Sequence, residues 1–77
     1  MKVWRRILPG GKSSLGLSYK VVTEIDEAGN YRTMNVWSDG RVDVVATSTL
    51  AAMGWPSVEE FLKNKTHFEP VEEDCHA

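Results

Sequence analysis

Residues 17–47, LSYKVVTEIDEAGNYRTMNVWSDGRVDVVAT, decide the fold. Three runs rich in Val, Thr, Tyr and Trp, at 17–25, 31–37 and 41–47, are punctuated by turn chemistry and read as strands. Between the second and third, Ser38-Asp39-Gly40-Arg41 carries an Asp-Gly pair. Asp-Gly suits the two positive-φ positions of a type I′ turn, so a two-residue hairpin is predicted there. Between the first and second, Asp26-Glu27-Ala28-Gly29-Asn30 fits a type I turn with Gly29 in the left-handed position, closing a three-residue loop.

These turns set a register. The Asp-Gly hairpin places Trp37 opposite Val42, Asn35 opposite Val44 and Thr33 opposite Ala46. The other loop places Ile25 opposite Tyr31, Thr23 opposite Thr33, Val21 opposite Asn35 and Tyr19 opposite Trp37. One face then carries Tyr19, Val21, Ile25, Tyr31, Trp37, Val42, Val44 and Ala46, with Thr23, Thr33 and Asn35 among them, and reads as the core face. The other carries Lys20, Val22, Glu24, Arg32, Met34, Val36, Asp43 and Val45. Its middle, Val22, Met34, Val36 and Val45, is more apolar than an outer face requires, and something should cover it.

Toward the C-terminus, Thr47-Ser48-Thr49-Leu50-Ala51-Ala52-Met53-Gly54 is bracketed by Ser/Thr in front and Gly behind, which predicts a short helical turn. Ser57-Val58-Glu59-Glu60 is a capping box. The helix after it presents Val58, Phe61 and Leu62 on one side and a Glu59–Lys63 pair on the other, ending near Asn64 or Lys65. With Leu50, Met53 and Trp55, this helix closes the core face. Toward the N-terminus, Val3, Trp4, Ile7 and Leu8 predict either a further strand or a packed arm. Pro9 to Ser14 reads as a flexible loop. The fold class is α+β: a three- or four-stranded antiparallel β-meander with one short C-terminal helix, plus a helical turn, packed on one face. Residues 1–66 are the single domain, and 67–77 an acidic, flexible tail.

A chain of 77 residues buries only about 60–65% of its unfolded surface, so its core is marginal and a partner is the natural supplement. The one cysteine, Cys75, allows no internal disulfide. No apolar run reaches the length of a membrane span or a signal-peptide core, so an intracellular, cytoplasmic protein is expected. Residues 1–20 hold five bases and no acid, whereas residues 21–77 hold eleven acids against four bases. The overall acidity argues against a nucleic-acid function, which runs on a concentrated positive face.

Chemistry-bearing motifs are sparse. Gly11-Lys12-Ser13 resembles a phosphate loop in three letters, but the earlier glycine is Arg6 and a strand follows where a helix is required. His67, Cys75 and His76, with Glu72, Glu73 and Asp74, lack the rigid four-ligand frame of structural zinc. Adjacent Glu59 and Glu60 point apart on a helix. No catalytic, cofactor or metal residues are assigned. The expected function is a non-enzymatic protein-interaction module, an adaptor, regulator or inhibitor, acting on another protein or as a homodimer. Its partner-binding residues are Val22, Met34, Val36 and Val45, rimmed by Lys20, Glu24, Arg32 and Asp43, with Trp4, Arg5 and Arg6 of the basic N-terminal arm. The alternative is a nucleic-acid-binding domain using the sheet edge and the N-terminal basic residues. No membrane partner is expected.

Overall fold

A computed structural model of the chain describes residues 2–65 and 67–72. Five strands and one helix follow one another: β1 (Lys2–Lys12), β2 (Ser18–Asp26), β3 (Asn30–Trp37), β4 (Val42–Thr49), α1 (Val58–Asn64) and β5 (Glu69–Glu72). The strands make one antiparallel sheet in the order β4-β3-β2-β1-β5. The α+β meander expected from the sequence is present, with one or two strands more.

The β2–β3 turn is built as its residues dictate. Asp26 Oδ1 accepts from the Ala28 and Asn30 amides at 3.0 and 2.9 Å, and Gly29 takes φ +86°. The register beyond it is the expected one, from Ile25↔Tyr31 to Tyr19↔Trp37. The second hairpin differs. Gly40 alone has positive φ, the Gly40 amide donates to Trp37 O, and the Trp37 amide donates to Arg41 O. This is a three-residue loop, because Asp39 does not take the left-handed conformation that a type I′ turn demands. Val36 therefore faces Val42, and Asn35 faces Asp43. A β-bulge at Val45 then shifts the ladder by one, so that Thr33 meets Ala46 after all.

The first residues are a strand in the sheet, not an arm across it. β1 pairs along β2 from Val3↔Asp26 to Pro9↔Lys20, then reaches Lys12↔Ser18 after an irregularity. Pro9 to Lys12 are thus strand rather than loop. A Cβ on Gly10 would lie 2.3 Å from Tyr19 Cε2 and 2.8 Å from the Tyr19 carbonyl oxygen. Gly10 lets the Tyr19 ring lie on the backbone at that point. Tyr19 in turn packs on Trp37 with centroids 4.7 Å apart, and Arg41 stands 5.0 Å over the Trp37 ring.

The core lies at the other end of the same face. Ile25, Leu50 and Phe61 are buried together, with Tyr31, Trp55, Val58, Leu62 and Phe68 around them. Phe61 meets Tyr31, Trp55 and Phe68 edge-on, at 6.4, 5.2 and 5.5 Å between centroids. Leu50 opens a helical turn. Thr49 Oγ1 caps the Ala52 amide, and Trp55 N–H reaches back to Leu50 O across Gly54 at φ +91°. Ser57 caps α1 through the Glu60 amide at 3.1 Å. Lys63 reaches Glu60 at 3.8 Å rather than the expected Glu59. β5 was expected to belong to the tail. Instead it lies against β1, with Val3↔Val71 and Trp4↔Pro70.

Candidate interaction surface

The face away from α1 is organised in rows that run across the strands. Arg5, Glu24, Arg32 and Thr47 are successive cross-strand partners on β1, β2, β3 and β4. Ile7, Val22, Met34 and Val44 form the next row, and Pro9, Lys20, Val36 and Val42 the one after. Among the described residues no second layer lies over these rows. Val22 and Met34, in the middle of their row, are nonetheless only 8% exposed, screened by their in-sheet neighbours. The ends are open: Ile7 is 55%, Val44 57% and Val42 51% exposed.

The charged row is an ion-pair ladder. Arg5 Nε donates to Glu24 Oε2 at 2.8 Å, its Nη2 bonds the same oxygen, and Arg32 Nη2 donates to Glu24 Oε1 at 2.9 Å. Burial pushes the Glu24 carboxyl up, but hydrogen bonds and charge from Arg32 and Arg5 pull harder, leaving it below its ordinary value. The Asp26 carboxyl is also lowered, chiefly by the Asn30 side-chain amide at 2.9 Å. Two open hollows flank the ladder. One, of ≈ 360 Å³, lies between Val3, Asp26, Asn30 and Thr47. The other, of ≈ 310 Å³, lies between Arg5, Ile7, His67 and Val71.

Of the residues assigned from sequence, Val22, Met34, Val36, Lys20, Glu24, Arg32 and Arg5 share this face. Four do not. The three-residue loop moves Asp43 to the helix-side face, where it accepts from Trp37 Nε1 at 2.8 Å. Val45 is the bulged residue and has no cross-strand partner. Trp4 and Arg6 alternate with Arg5 along β1, so they point to the helix side. Arg6 stacks on Phe68 at 5.1 Å, and its Nε is buried with no hydrogen-bond partner among the described residues. Ile7, Val42 and Val44 take the vacated places. The alternation Val3-Arg5-Ile7 held the signal for Ile7, but no sequence feature chose the three-residue loop that turned Val42 and Val44 over.

Among the described residues no three His, Cys, Asp or Glu side chains converge as metal ligands, and no helix is long and apolar enough to cross a membrane. Glu73, Asp74, Cys75 and His76 lie outside the described residues. No protein-family model matches the chain, and no curated protein or solved structure is significantly similar to it.

Proposed function

We propose that the protein is a non-enzymatic interaction module of the cell interior, an adaptor, regulator or inhibitor, that binds a protein through the open face of its sheet. The row Ile7–Val22–Met34–Val44 carries this reading. It is apolar across four strands, open at both ends, and bordered by the Arg5–Glu24–Arg32 ladder. An apolar strip beside fixed polar groups is the arrangement of an interface core and its rim. The nucleic-acid alternative is weaker, because the basic residues do not converge. Arg5 and Arg32 are both held by Glu24, while Arg6 faces the other way against Phe68.

The test is affinity capture with three forms of the chain. Ile7→Lys puts a charge at the open end of the row. Leu15→Ser, at a hairpin tip where Leu15 is 85% exposed, leaves the row alone. A partner held by the wild type and Leu15→Ser but lost by Ile7→Lys is the expected result. Equal retention by all three would remove the open face from the contact.

A further inference from the structure

Where the β2–β3 loop, the helical turn and the start of α1 meet, the chain encloses a third hollow, of ≈ 360 Å³. Gly29 and Leu50, both buried, line it together with the half-buried Trp55. Glu27 comes to it from the loop and Glu59 from the first turn of α1.

Bonds that do not involve either glutamate hold its walls in place. The Gly29 amide donates to Asp26 O at 3.0 Å, which closes the loop. The Leu50 amide donates to Gly29 O at 2.8 Å, and the Trp55 amide to Leu50 O at 2.8 Å. Phe61 holds the Trp55 ring from the core side, 5.2 Å between centroids, and the Ser57 cap fixes the turn that carries Glu59. Three segments distant in sequence are thereby positioned ahead of any ligand, which lowers the entropic cost of binding one.

Its charge differs from that of the hollows beside the ladder. Arg32 lines one of those, and Arg5 and His67 the other, so acids and bases share their walls. No lysine, arginine or histidine lines the third. Among the described residues, Glu27 and Glu59 make neither an ion pair nor a side-chain hydrogen bond. Two carboxylates without a counter-charge, set around an indole ring, favour a cation with a flat face. A guanidinium stacks on an aromatic ring through its plane and donates to carboxylates through its edge, whereas an ammonium is only a point charge. We propose that this hollow receives an arginine side chain of a partner protein. The guanidinium lies on Trp55, and Glu27 and Glu59 accept from its N–H groups. None of Ile7, Val22, Met34 and Val44 lines the hollow, so the site is separate from the open face.

The test is titration of N-acetyl-L-arginine amide into the full chain, followed by NMR of the backbone amides and the tryptophan indoles. Saturable shifts are expected at the Trp55 indole and at the Gly29 and Ala51 amides. So open a site should bind one side chain with a dissociation constant of about a millimolar. The citrulline analogue keeps the shape and loses the charge, and should bind at least about tenfold more weakly. The lysine analogue should fall between the two. Glu27→Gln and Glu59→Gln, at exposed positions, should each raise the dissociation constant about two- to fivefold. Raising the ionic strength from about 0.01 to 0.15 M should weaken binding of the arginine analogue. Ile7→Lys should leave it unchanged. No saturable shift up to about 50 mM would overturn the proposal. So would equal binding of the citrulline analogue, which would mark a merely apolar hollow, or shifts that map away from Trp55. Unchanged affinity in both glutamine variants would overturn it as well.

Discussion

Ile25 and Val22 stand three residues apart on β2 and face opposite ways. Ile25 meets Leu50 from the helical turn and Phe61 from α1, and nothing of it reaches solvent. Val22 meets Ile7 and Met34 in its own sheet and is 8% exposed. Both are buried, by different means. Neighbours within a sheet can screen the centre of a row, but they leave the row's ends in water. A second layer of large aromatics takes the ends in as well, and side chains packed on two sides gain far more dispersion contact. Stability should therefore be concentrated on the helix side, and the open side should tolerate change.

The widest separation between the two sides is expected at Phe61, the hub of three edge-on aromatic contacts. Phe61→Ala should cost about 3–5 kcal/mol, a large share of the stability of so small a domain. Urea denaturation followed by circular dichroism would measure it, and a loss below about 1 kcal/mol would break the contrast between the faces.

Glu24→Gln should have an intermediate effect, about 1 kcal/mol near neutral pH, because it removes both ion pairs of the ladder. The sign of its pH dependence follows from the lowered carboxyl. A group whose pKa is lower folded than unfolded stabilises the fold fully above its ordinary value of 4.5, and that stabilisation fades as pH falls through the lower folded value. The difference in melting temperature between wild type and Glu24→Gln should hold above pH 4.5 and close below it. A gap that widened in acid would mean that Arg5 and Arg32 do not set the Glu24 charge.

The smallest effect is expected at Ile7. Ile7→Ser should change stability by no more than about 0.5 kcal/mol, since the side chain is already half in water. A loss above about 2 kcal/mol would mean that something covers the open row.

The sequence marked the centre of this comparison better than its margins. The β2–β3 register was readable in full, because Asp26 and Gly29 leave one way to close that turn and alternation does the rest. Ser57 and Glu60 likewise announced the helix. At Ser38-Asp39-Gly40 two closures compete, and local chemistry does not choose between them. The longer loop requires only Gly40 to enter the left-handed region. Its one-residue offset is undone by the bulge at Val45, which is why Thr33↔Ala46 was foreseen and Val36↔Val42 was not. Val42 and Val44 consequently changed faces, and the candidate surface changed with them. Pro9-Gly10-Gly11 looked like a loop because the Tyr19 ring that lies against it is distant in sequence. Glu69-Pro70-Val71-Glu72 has the composition of a tail, and its strand conformation comes from β1 beside it.

β1 lies between β2, which follows it in the chain, and β5, the last strand among the described residues. On a growing chain, the first hairpin partner of β1 is made within a few residues, whereas its other side waits until Glu69–Glu72 has emerged. Until then the Lys2–Arg5 segment presents an open hydrogen-bonding flank, and the latest-made strand closes against the earliest. A chain shortened to end before residue 69 should therefore leave one flank of β1 exposed along Lys2–Arg5.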